Sequence, residues 1–168
     1  MVVVYEQRAT ILVRASRRAV YAALLDPRAV ETWRVPDDMV ARIESWEPVE
    51  GGRFRVSLTY RAQDQQSERA GKTEGATDTY AGHFARLAPD EQVVEQLAFE
   101  TSDPELAGQM RMTFTLREVE IAGGVGTEVE LFHEGLPDAI SPEDNAAGTR
   151  MALTKLAAYV EGAGGHLA

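Results

Sequence analysis

The sequence has no cysteine among its 168 residues. That excludes a disulfide framework, a thiol nucleophile and any thiolate metal site, and it is compatible with a reducing compartment. Histidine is scarce too: His83, His133 and His166 stand far apart with no H-E-x-x-H pair, so no metal site is expected. Basic residues are outnumbered, 17 Lys and Arg against 27 Asp and Glu, and the formal net charge of −10 opposes nonspecific attraction to nucleic acid or an anionic membrane. Long apolar runs are missing. Met1-Val2-Val3-Val4-Tyr5 is ended by Glu6 and is too short for a signal-peptide core or a membrane span. No membrane insertion and no nucleic-acid partner are therefore expected, and a cytoplasmic location is the default expectation. Nucleotide and hydrolase signatures are absent as well. Gly71-Lys72-Thr73 lacks the preceding strand, the earlier glycine and the apolar helix of a P-loop, and no G-x-S-x-G occurs. No cofactor is expected.

What is present is alternation. The length suits a single domain spanning 1–168, enough to bury roughly two-thirds of the unfolded surface. A strand over Tyr5 to Val13 precedes a short helix from Arg17 to Leu25, with Ser16 as its N-cap and Asp26-Pro27 as its interruption; a further helical turn covers Pro27 to Trp33. Val40 to Trp46 reads as a strand, and Arg53 to Tyr60 is the clearest strand, with Phe54, Val56, Leu58 and Tyr60 on one face. The polar stretch 62–76 is expected to be a solvated hairpin loop or a lid. Four more strands follow, Thr77 to Leu87, Val93 to Thr101, Met110 to Glu120 and Thr127 to Glu134, and their short connections favour antiparallel neighbours. Glu134-Gly135-Leu136-Pro137 is expected to end the last strand. A helix then runs from about Ser141 to Val160, its apolar stripe made of Thr149, Ala152, Leu153, Leu156 and Val160, with Gly162 and Gly164-Gly165 as its stop.

Alternation assigns Val93, Leu97 and Phe99 to one face, with Met110, Met112, Phe114 and Leu116 opposite them and Val129 and Leu131 on the last strand. These rows are expected to form a concave wall under the long helix. Two ionisable residues interrupt them. Glu95 falls between Val93 and Leu97, and His133 follows Leu131, so the two are candidate catalytic residues that exchange a proton near neutral pH. The other reading stands beside it: Glu95 lies at a strand edge or pairs with an arginine, and His133 caps a loop amide or faces water. Trp33, Tyr60, Tyr80 and Trp46 combine apolar area with a polar tip and are candidate cavity residues. The expected ligand-binding set is Trp33, Tyr60, Tyr80, Phe99, Met112, Phe114, His133 and Thr149; Asn145 and Thr149 stand near the mouth, and Arg150 beside them reads first as a surface side chain.

Several ordered motifs point to one family. Trp33-Arg34-Val35-Pro36, Gly51-Gly52-Arg53-Phe54-Arg55, Tyr80-Ala81-Gly82-His83-Phe84 leading to Leu87-Ala88-Pro89, and Gly126-Thr127-Glu128-Val129 through His133-Glu134-Gly135-Leu136-Pro137 resemble the heat-shock-protein-90 ATPase activator homologues. These belong to the START-like, or SRPBCC, superfamily, and the resemblance covers about residues 9 to 161. It implies an α+β helix-grip fold: a seven-stranded antiparallel curved sheet around a long C-terminal helix, with two short helices after the first strand. Functions within the superfamily are diverse, so the fold alone does not choose among them. The leading expectation is a noncatalytic protein that binds a small apolar or amphipathic molecule, lipid- or polyketide-like, between sheet and helix. One alternative is a cyclase- or aromatase-like enzyme using Glu95 and His133, with Tyr60 or Tyr80 orienting an oxygen. Another is a protein-interaction module related to chaperone regulators, although the chain leaves no room for the separate N-terminal domain of the eukaryotic activators. A homodimer is compatible with the general habit of soluble proteins.

Overall fold

Caps and alternation place the elements of the chain. The computed structural model describes residues 3–61 and 77–167. Strand β1 (Val4–Val13) leads through Ser16, whose hydroxyl accepts a hydrogen bond from the Ala19 amide at 3.2 Å, into α1 (Arg17–Leu25). Asp26 closes α1 and caps α2 (Pro27–Trp33), where Pro27 occupies a first-turn position that needs no amide donor. The sheet then continues with β2 (Met39–Trp46), β3 (Arg53–Tyr60), β4 (Thr77–Ala88), β5 (Gln92–Phe99), β6 (Met110–Ile121) and β7 (Gly124–Pro137). Helix α3 (Pro142–Leu167) closes the chain. The stretch 62–76, read above as a lid or a loop, lies outside the described residues.

The strands form one antiparallel sheet in the order β1-β7-β6-β5-β4-β3-β2, so each strand from β2 to β7 pairs with its sequence neighbour and β1 closes against β7. This is the expected seven-stranded α+β helix-grip arrangement, with two short helices after the first strand. Register shifts interrupt the β1–β7, β2–β3 and β4–β5 ladders; such bulges bend a sheet and sharpen its twist. The concave face carries the core. Phe54 and Phe84 stack with Trp46 under one end, while Trp33 meets Phe114 edge-on at 6.1 Å. On α3, Leu153, Leu156 and Val160 are buried, each contributing roughly 1.5 to 3 kcal/mol.

Two boundaries differ from the sequence reading. Glu134-Gly135-Leu136-Pro137 does end the last strand, but as its last four residues, carrying the pairing with β1 as far as Val4–Pro137 and not breaking it off at Glu134. The turn-like composition marks a bulge instead: Tyr5 faces Leu136 and Gln7 faces His133, so Glu134 and Gly135 together oppose Glu6. Gly135 has φ of +75°, and a Cβ there would stand 2.6 Å from the Gln109 carbonyl oxygen, which is why glycine occupies the bulge. At the other end, the glycines from Gly162 onward do not stop α3, which runs to Leu167. A glycine in a helix costs about 1 kcal/mol relative to alanine, a penalty that an established helix tolerates.

Candidate functional site

Three neighbouring strands set side chains in register across the concave face. Val93 faces Phe114, which faces Leu131; in the next row Glu95 faces Met112, which faces His133; Leu97 faces Met110 beyond. Glu95 and His133 therefore share a sheet face. They are not adjacent, however, because the β6 strand lies between them, and two strand spacings separate their backbones by about 9 to 10 Å.

Arg34, just after α2, occupies the space above this row. Its Nη1 donates to Glu95 Oε2 at 2.9 Å, and its Nη2 lies 2.8 Å from Oε1 as an ion pair and 3.1 Å from Met112 Sδ. Oε1 is in ion-pair contact yet off the hydrogen-bond direction, since it has no geometrically aligned donor. Glu95 is 1% exposed, so this is a buried ion pair, whose breakage leaves an uncompensated charge. The arginine carbon also stands 5.4 Å from the Tyr80 ring centre and 6.0 Å from that of Trp33. Burial works against the Arg34 charge, but the adjacent Glu95 carboxylate more than compensates and raises its pKa. Lys155 of α3 pins the segment that follows, donating to the Val35 carbonyl and, at 3.0 Å, to Asp37.

His133 is 9% exposed, and its Nε2 has no hydrogen-bond partner among the described residues. Burial, followed by the positive charge of Arg34, pushes its pKa down to about 4, so the imidazole is neutral at physiological pH. Burial also raises the pKa of the Tyr80 hydroxyl, with Arg34 opposing and Glu95 adding to the shift.

Beneath the first half of α3, Arg34, Tyr80 and His133 border a cavity of about 320 Å³. Its walls are mainly apolar, including Trp33, Leu97, Met110, Phe114 and Leu131, and its exposed rim is formed by Asp144, Gly148 and Met151 of α3. Of the residues expected to bind a ligand, Trp33, Tyr80, Phe99, Met112, Phe114, His133 and Thr149 line it. Tyr60 does not. It lies at the end of β3, paired with Met39. Trp46 is also elsewhere, its Nε1 donating to the Leu25 carbonyl at 2.7 Å while its ring packs on Phe54 and Phe84. Asn145 lines the cavity, whereas Arg150 is exposed and borders a separate space next to β1. Arg34 and Asp78 were not anticipated as lining residues. The signals were present: Arg34 follows the cavity residue Trp33, and Asp78 is two residues before Tyr80 on one strand face.

Among the described residues no cluster of three or more His, Cys, Asp or Glu side chains is arranged to hold a metal, and no helix is long and apolar enough to cross a membrane.

A curved antiparallel sheet, a long helix laid across it and a cavity between them define a protein of the START-like helix-grip class. More narrowly, the chain belongs to the family described as "Activator of Hsp90 ATPase homolog 1-like protein", which it matches over residues 14–161. Its structure is similar to that of a protein from Chromobacterium violaceum, with 28% identity, 93% of this chain and 96% of that one covered, and a TM-score of 0.77. A Rhodobacter sphaeroides protein shares the fold at 18% identity, covering 96% and 99% of the two chains with a TM-score of 0.72. An AHSA1-like protein from Aeromonas hydrophila does so at 16% identity, covering 95% and 94% with a TM-score of 0.65. No curated protein matches the sequence.

Proposed function

We propose that the protein binds a small apolar or amphipathic molecule, without transforming it, between the concave sheet face and the first half of α3. The observation that carries this reading is the mainly apolar cavity of about 320 Å³ with a few polar groups at its wall. That volume falls at the small end of the roughly 300 to 1,000 Å³ common among ligand pockets. A noncatalytic role fits the geometry better than acid–base chemistry. Both Glu95 oxygens lie within ion-pair reach of Arg34, and His133 stands two strands away. Proton exchange between Glu95 and His133 would need that ion pair to open. The test is native mass spectrometry of freshly purified protein, followed by titration with fluorescent lipids and aromatic compounds. Co-purified or titrated ligand that a bulky substitution at Gly148 displaces supports the reading; no uptake of any compound overturns it.

A further inference from the structure

Two buried side-chain atoms among the described residues lack a hydrogen bond within the protein, Glu95 Oε1 and His133 Nε2. They are not equivalent. The charge on Glu95 Oε1 is met by Arg34 Nη2 at 2.8 Å, whereas no described residue supplies a partner to His133 Nε2. A buried polar atom left this way lowers stability, and such departures concentrate at functional sites. His133 also occupies a distinctive place. Together with Leu131 and Thr149 it borders both the cavity under α3 and a second space of about 340 Å³ between β1 and α3.

The charges lining the cavity under α3 restrict what can meet Nε2 from that side. Arg34 is the one basic residue besides His133 among its described lining, and Glu95 already holds it; the second space adds Arg8, which lies 3.0 Å from Glu130, and Arg150. The other charged residues lining the cavity under α3, Asp78 and Asp144, are acidic. A carboxylate or phosphate brought to His133 through that cavity would therefore share one guanidinium with Glu95, leaving a buried negative charge in excess. An ammonium would approach the same guanidinium, which already disfavours a proton on His133. A neutral imidazole carries one donor and one acceptor nitrogen, and a hydroxyl can satisfy Nε2 in either tautomer. Resting on the ligand-binding reading above, we propose that the cavity selects amphiphiles with an uncharged, hydroxyl-bearing end, which hydrogen-bonds His133 Nε2 while the apolar remainder lies along Trp33, Phe114 and Met110.

Decanol, decanoate and decylamine, which share one apolar chain, separate the classes. Calorimetric titration at neutral pH is expected to give decanol about tenfold tighter binding than either charged analogue. In His133→Leu, decanol binding falls about five- to tenfold and the discrimination disappears, while the melting temperature does not fall, showing that the variant is folded. His133→Gln, which keeps a donor and an acceptor, retains most of the preference. Decanoate binding as tightly as decanol overturns the proposal, and loss of that decanoate binding in Arg150→Gln would place its head group in the second space instead. Unchanged decanol affinity in His133→Leu also overturns it. Equal uptake of all three compounds removes the head-group assignment but leaves the ligand-binding reading standing, whereas uptake of none removes both.

Discussion

The two halves of α3 face one sheet with side chains of different size, and only one half makes a solid core. Toward its C-terminal end Leu153, Leu156, Ala157 and Val160 are all buried. Toward its N-terminal end Asn145, Gly148, Thr149 and Ala152 border the cavity, with Met151 and Leu153 also in its lining, where Leu153 marks the transition to the packed end; the strands below present residues as large as Met110, Phe114 and Leu131. The helix backbone continues unbroken through both halves. The void lies where α3 offers the small side chains of Gly148, Thr149 and Ala152 to the concavity. The start of the helix is not loosely attached: Asn145 donates to Gln7 at 2.7 Å, Gln7 to the Pro142 carbonyl at 2.8 Å, and Tyr5 to the Ile140 carbonyl at 2.7 Å. Polar ties hold the open end where apolar packing holds the other.

The severest challenge to this contrast comes from the wall of the open end. Glu95→Ala leaves Arg34 buried without its partner and is expected to destabilise the protein by about 3 to 5 kcal/mol in urea denaturation. Replacing Arg34 and Glu95 together with methionine and leucine is expected to cost far less, because no uncompensated charge remains. A small effect of the single substitution would mean that water reaches the pair. At the packed end, Leu156→Ala is expected to cost about 2 to 5 kcal/mol through lost burial and the cavity it creates. Thr149→Ala, at the open end, is expected to change stability by only about 0.5 kcal/mol or less. Comparable losses at both positions would remove the distinction between the halves.

Acid sharpens the comparison further. The unfolded His133 titrates near 6.5, while burial and then Arg34 hold the folded imidazole down to about 4. Below pH 6.5 the unfolded chain takes up a proton that the folded chain resists, so stability is undiminished above that pH and falls as the pH drops toward 4. The loss from this residue approaches about 3 kcal/mol. Glu100, held below its usual pKa by the Arg55 hydrogen bond, and Glu143, held down by its own backbone amide and by Ser141, add to the fall at still lower pH. Denaturation curves at pH 7.5 and 4.5 for wild type and His133→Gln isolate the histidine contribution. A variant with the same pH slope as wild type would show that His133 is not the group responsible.

Much of this architecture is legible in the sequence because alternation records which residues share a face. It places Val93, Phe114 and Leu131 together and puts Glu95 and His133 on one surface. It does not record what descends onto that surface from elsewhere. Arg34 meets Glu95 across 61 positions, a contact created by the packing of α2 against the sheet that no local period encodes. Nor does a face assignment say how far along a strand a cavity extends: on β3 Leu58 lines it, while Tyr60, two residues on, does not. Gly135 shows the same limit at the level of one turn: its surroundings read as a strand end, but pairing with β1 absorbs it as a bulge.

The smallest expected effect tests the contrast most directly, because it adds atoms instead of removing them. At Gly148 a Cβ would meet nothing within 4 Å. Gly148→Ala is therefore expected to raise stability by up to about 1 kcal/mol, through helix propensity alone. A larger side chain there enters the cavity rim, so Gly148→Leu is expected to retain stability while weakening ligand uptake. The same enlargement at Ala157, which is 8% exposed on the packed half, is expected to cost about 1 to 3 kcal/mol by overpacking. Thermal melts of the two leucine variants, read beside decanol titrations, distinguish a space that α3 leaves unfilled from a core that merely lacks a methyl group. If Gly148→Leu destabilises as much as Ala157→Leu, the cavity is too tight to admit a ligand without rearrangement of α3.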